Sequence, residues 1–152
     1  MQLVEEDRNC EDQVVLAAYA RDYSLEKGVS PLLAVFPKNK EDVKGIVRLA
    51  NEYKVPLVAV SSGQPRFNGD TLPERESVII DFRQMNRTIK IDSVNRCAIV
   101  EPGVTYAELI PQLEKQGLKL NIPFLPKASK SVVTSRLERE PVLIPKYQYD
   151  YI

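Results

Sequence analysis

Apolar positions in the first half of the chain recur in two alternating rhythms. Glu11 to Asp22 is expected to be a short helix whose apolar stripe is Val14, Val15, Ala18 and Tyr19. The run Leu32 to Phe36, closed by Pro37, reads as a strand. From Lys40 to Tyr53 the period becomes helical. Val43, Ile46, Val47 and Ala50 share one face, Asn39 is placed to cap the first turn, and Glu41 and Asp42 sit against the positive end of the helix dipole. Leu57 to Val60 is a second short strand. Strand, helix and strand at this spacing form a βαβ unit with a right-handed connection. A ligand is expected beyond the carboxyl end of its second strand.

The second half keeps a different pattern. A polar stretch from Ser61 to Glu76 reads as one long loop, and Ser77 to Asp81 as the strand after it. Thr88 to Asp92 and Arg96 to Val100, joined through Ser93, Val94 and Asn95, predict an antiparallel hairpin. Glu101, Pro102 and Gly103 turn the chain. Thr105 and Glu108 then have capping-box spacing, Tyr106, Leu109, Ile110 and Leu113 form one helical face, and Gly117 ends the helix. Beyond Pro123 and Pro126, Ser129 is expected to cap a segment running to Glu140.

Composition narrows the chemistry. The 152 residues are 43% hydrophobic, enough for the core of one domain. The 21 basic and 21 acidic side chains cancel, so no global field favours nucleic acid or an anionic membrane. Histidine is absent, which removes histidine-based triads, metal ligands and cofactor tethers. Cys10 and Cys97 fit no metal or redox spacing; no metal site is expected, and a reduced, cytoplasmic protein is the simplest expectation. The start, MQLVEEDRNCEDQ, carries acids where a secretory signal carries bases, and no apolar run reaches membrane-spanning length.

The segment with most chemical promise is Val60-Ser61-Ser62-Gly63-Gln64-Pro65. Small residues after a strand let backbone N–H groups converge on an anion, and the two hydroxyls add donors; the same residues also make an ordinary solvated turn. Arg66 either neutralises a phosphate or stands exposed near Asp70, Glu74 and Glu76, and the exposed reading is the expectation. Glu101-Pro102-Gly103 is sufficiently explained as a turn. Ser129, Ser131, Thr134 and Ser135 supply hydroxyls for a ligand or for a helix start. Nothing near Glu138 and Glu140, or Glu5 and Glu6, would push their pKa values apart, so no catalytic carboxylate is assigned.

Three stretches, AVFPKNKEDVKGIVRLANEYKVPLVAVSSG, VIIDFRQMNR and AIVEPGVTYAELIPQLEKQGL, resemble the flavoproteins of the vanillyl-alcohol oxidase and p-cresol methylhydroxylase type, which include glycolate and D-lactate dehydrogenases. SVVTSRLERE is similar to their second flavin-contacting segment. The resemblance implies an α+β fold of the p-cresol methylhydroxylase type, an α/β subdomain with a small parallel sheet followed by the start of a mainly antiparallel one, with FAD held between them. It implies one FAD-binding domain over 1–152, incomplete at its carboxyl end, with a helical lead-in at 1–30, a first subdomain at 31–87 and part of a second at 88–152.

The resemblance further implies that Val60, Ser61, Ser62, Gly63, Gln64 and Pro65 hold the FAD pyrophosphate, that Asn68 and Gly69 close the loop, and that Pro102, Gly103 and Ser131 lie near the cofactor. Without histidine, FAD binding is expected to be non-covalent. The expected function is the FAD-binding module of an oxidoreductase acting on a hydroxy acid or similar alcohol, not catalytic alone and completed by a second copy or another chain through the Leu143 to Ile152 tail. The alternative is a cofactor-free structural or protein-interaction remnant, favoured by Ser61 and Ser62 where the family commonly has glycine.

Overall fold

The computed structural model describes residues 8–63, 66, 71–122 and 128–137, and the chain divides into two compact units, Met1–Gln84 and Met85–Ile152. The first unit is built on a four-stranded sheet: β1 (Asn9–Cys10), β2 (Leu33–Val35), β3 (Leu57–Val60) and β4 (Val78–Asp81), in spatial order β1-β2-β4-β3. β1 runs antiparallel to β2, and β2, β4 and β3 run parallel. The predicted βαβ unit is present as β2, α2 (Lys40–Tyr53) and β3, but β4 inserts between its two strands.

Side chains alternate across this sheet, so each face has its own core. Ala34, Ile79 and Val60 pack with Leu16 and Tyr19 of α1 (Gln13–Tyr19); Val35 and Ile80 pack with Ile46 of α2. The α1 stripe differs from the expected one. Leu16 and Tyr19 are its buried residues, whereas Val14 is 82% exposed and Val15 and Ala18 also face outward. A seven-residue helix makes two turns, and the i, i+3 pair of largest side chains takes the core. In α2, Asn39 Oδ1 accepts from the Glu41 and Asp42 N–H groups as expected. Burial opposes ionisation of Asp42, but the Lys38 N–H and Arg8 guanidinium outweigh it and lower its pKa.

The second unit holds the antiparallel hairpin β5 (Thr88–Asp92) and β6 (Cys97–Val100), then α3 (Tyr106–Glu114) and α4 (Val132–Leu137). Arg96 belongs to the turn, with φ 52°, so β6 begins one residue later than predicted. Val104, Tyr106, Leu109, Leu113 and Val132 form the core, and Ile91, Ala98 and Val100 from the hairpin pack on it. The capping box of Thr105 and Glu108 is complete. The expected cap at Ser129 is displaced: Ser129 is exposed in a turn, and the Ser131 hydroxyl accepts from the Thr134 N–H. Ser131 also forms an isolated bridge with Thr105, which sets the start of α4 against the start of α3.

Candidate functional site

The parallel strands β3 and β4 end together, with Val60 paired to Asp81, so the segments leaving both strands start at one sheet edge. That edge is where ligands bind in open α/β sheets. Ser61, half-buried, Ser62, 5% exposed, and Gly63 follow β3. Asp81 continues the row of Ile79 on the α1 face, and it is wholly buried. A buried carboxylate requires partners. Tyr19 Oη donates to Asp81 Oδ2 at 2.7 Å, Arg83 Nε donates at 2.9 and 2.8 Å, and the Arg83 backbone N–H adds a bond at 3.0 Å. Arg83 Nη2 donates to Tyr19 Oη at 3.2 Å and closes a triangle.

Burial and Asp81 keep Tyr19 protonated, and Asp81 keeps Arg83 protonated. Burial, then the charge of Asp81, raises the Tyr19 pKa, so the phenol remains a neutral donor. The bond to Asp81 raises the Arg83 pKa, so the guanidinium remains a cation although part of it is buried. Arg83 has 48% of its side chain exposed, against none for Asp81. The exposed part lines a cavity of about 150 Å³ together with Val15, Ala18, Tyr19, Ser62, Gly63 and Arg66. Val15 and Ala18, expected in the core, form its wall instead.

Arg66 corrects another expectation, because it is 6% exposed rather than solvated. Its Nη2 donates to the Ala18 and Arg21 carbonyls at 2.7 and 3.3 Å, where the end of α1 leaves carbonyls without helical partners. The guanidinium stands 5.1 Å from the Tyr19 ring centre, a cation–π distance. Burial lowers its pKa, against the opposing pull of Tyr19 and Asp81. The Tyr23 N–H donates to the Arg66 carbonyl, and the Val29 N–H to that of Pro73. Gly28 permits the second contact, since a Cβ there would meet Pro73 at 3.1 Å. The lead-in thus grips the segment after β3 at two points.

The remaining candidates in the second unit also converge. Ser131, fully buried, donates its hydroxyl to the Pro102 carbonyl at 2.6 Å, and the Gly103 N–H donates to the Met85 carbonyl at 2.8 Å. Glu101 beside them is held by Arg87 Nη2 at 2.7 Å and the Arg87 N–H at 2.9 Å. Gln64, Pro65, Asn68 and Gly69, like Glu5, Glu6, Glu138, Glu140 and the Leu143–Ile152 tail, lie outside the described residues. The sequence reading missed Asp81 and Arg83, and saw Tyr19 only as packing. The signal available was V-I-I-D, an acid ending an apolar strand with arginine two residues on. Among the described residues, no group of three acids or cysteines is placed to hold a metal, and no helix is long and apolar enough to cross a membrane.

Comparison with known proteins shows which families the sequence and fold resemble. Residues 31–133 match the family described as FAD binding domain. The chain is 34% identical over 112 residues to the 4-cresol dehydrogenase [hydroxylating] flavoprotein subunit of Pseudomonas putida, covering 72% of this chain and 22% of that one. It is 32% identical over 130 residues to D-2-hydroxyglutarate dehydrogenase of Stutzerimonas stutzeri, covering 86% and 28%. Among solved structures, p-cresol methylhydroxylase with substrate bound superposes with a TM-score of 0.77 at 30% identity, over 91% of this chain and 28% of that one. 4-Ethylphenol oxidase from Gulosibacter chungangensis gives 0.79 at 27% identity, over 91% and 27%. The chain therefore spans between a fifth and a third of the length of these relatives.

Proposed function

Since the chain belongs to the FAD-binding domain family of the vanillyl-alcohol oxidase and p-cresol methylhydroxylase type, we propose that it is the cofactor-holding module of an oxidoreductase acting on a hydroxy acid or similar alcohol. The observation that carries this reading is the shared edge of β3 and β4, where Ser62 and Gly63, next to Ser61, line a cavity together with two arginines. Small residues, hydroxyls and fixed cations are the donor set a pyrophosphate needs. Gly63 lies beside Arg83: a Cβ there would be in ordinary van der Waals contact with Nη1, at 3.5 Å.

Val60 to Pro65, with Asn68 and Gly69, would hold the pyrophosphate, and Pro102, Gly103 and Ser131 would flank the cofactor in the second unit. When bound, FAD supplies the hydride acceptor. The chain's own residues bind and orient it, and none is assigned to proton transfer. Binding is non-covalent on this reading, and a histidyl tether is excluded within this chain because it has no histidine. On this reading the substrate-holding residues come from parts that correspond to the rest of these relatives' length, whether in the same or another polypeptide. The free thiols Cys10 and Cys97 fit a reducing, cytoplasmic setting.

The test is the visible absorption spectrum of the purified chain, before and after incubation with FAD and removal of free cofactor. A flavin band that stays with the protein is the expected result. Protein that stays folded and colourless after loading would overturn the cofactor assignment and leave the scaffold reading.

A further inference from the structure

The geometry points to Arg83 as the residue that recognises the phosphates of the ligand, with Asp81 and Tyr19 serving to aim it. This rests on the reading of the β3 edge as a pyrophosphate site and adds a residue outside the loop. Three observations carry it. Arg83 Nε and Nη2 are both engaged, by Asp81 and Tyr19, so the guanidinium plane is fixed before any ligand arrives. Nη1 makes no hydrogen bond among the described residues and lies beside Gly63, 3.5 Å from where a Cβ would stand. Ser62, Gly63 and Arg83 line the same cavity.

An arginine whose charge served only to neutralise Asp81 would gain nothing from keeping one nitrogen at a cavity wall. A fixed planar fork with a spare donor matches a phosphate oxygen, and pre-organisation reduces the entropy lost on binding. Lysine could neutralise Asp81 from the same position, but its single ammonium could not bond Asp81 and Tyr19 and still present a donor beside Gly63. Arg66 is spent differently, with Nη2 on the carbonyls at the end of α1.

The experiment measures the affinity of the full chain for FAD and for inorganic pyrophosphate by calorimetry, in wild type, Arg83→Gln and Arg83→Lys. The double variant Asp81→Asn with Arg83→Gln is included because it removes the buried charge together with its partner and so protects folding, which circular dichroism checks. The expected result is FAD binding weakened roughly 10- to 100-fold by Arg83→Gln and by the double variant, with a parallel loss for pyrophosphate and only partial retention by Arg83→Lys. If wild type binds FAD and the folded variants bind it equally well, the role of Arg83 is overturned while the FAD reading stands. If wild type binds pyrophosphate in an Arg83-dependent way but not FAD, the anion site stands and the flavin assignment fails. Binding of neither probe by wild type overturns both.

Discussion

Asp81 and Glu101 are both buried carboxylates at strand ends, each paired with an arginine, yet they are used differently. Asp81 meets Tyr19 from 62 residues away and Arg83 from two residues away, and the far side of Arg83 faces a cavity. Glu101 meets Arg87 across 14 residues and binds both its backbone N–H and its guanidinium, which ties the start of the hairpin to its end. The Arg87 side chain is 72% exposed. An acid–arginine pair is therefore not in itself the mark of a site. The triangle on the first unit restricts a cation and presents it to empty space, whereas the pair on the second closes a turn.

That contrast is broken most severely by removing Arg83. Arg83→Ala leaves Asp81 in the core with only the Tyr19 hydroxyl and the residue 83 backbone N–H as partners, and breaking a buried pair in this way costs about 3 kcal/mol or more. Urea unfolding should show that loss, and adding Asp81→Asn should recover a substantial part of it. No recovery would mean that Arg83 matters to the fold through its packing rather than through the buried charge.

Glu101 offers a milder test whose sign depends on pH. The bonds from Arg87 hold its carboxyl below the ordinary value of 4.5, against the effect of burial. A depressed folded pKa means that the stabilisation is complete above the unfolded value and is lost as pH falls through the folded value. Glu101→Gln should accordingly be less stable than wild type by about 1 kcal/mol at neutral pH, because the partner is largely solvated. The gap should close as the medium is acidified below the folded pKa of Glu101. Thermal melts from neutral to strongly acidic pH measure it, and a gap that persists undiminished at the acid end would exclude the ion pair as its source.

How much of each region could be read in advance follows the same division. The second unit depends on neighbours in sequence. The capping box joins residues three apart, the hairpin pairs strands across a short turn, and Tyr106, Leu109 and Leu113 repeat at helical spacing, so local pattern suffices. α2 was legible for the same reason, down to the bonds made by Asn39. The first unit depends on distant pairings. Nothing local says that β4 enters between β2 and β3, that Asn9 and Cys10 extend the sheet, or that Arg66 reaches back to the end of α1. Asp81 and Tyr19 meet only because both lie on the α1 face of that sheet. The small-residue loop after β3 was visible, but the cation beside it required the strand order.

The smallest test concerns how the two long helices stop. α3 is followed by Gly117 at φ 69°, where a left-handed turn costs nothing for lack of a Cβ. α2 ends at Lys54, which takes φ 57° with a full side chain and donates its N–H to the Ala50 carbonyl. A non-glycine residue in this conformation costs about 1–2 kcal/mol, part of which glycine returns as extra entropy of the unfolded chain. Lys54→Gly should therefore stabilise the protein by about 0.5 kcal/mol, read as a small rise in the urea midpoint. Gly117→Ala should destabilise it by a similar amount, although nothing lies within 4 Å of the added methyl group, because the strain is in the backbone. Opposite signs at the two ends would show that the first unit tolerates a strained stop where the second has a relaxed one. A fall in midpoint with Lys54→Gly would mean that the Lys54 side chain stabilises the end of α2 by more than its backbone strain costs.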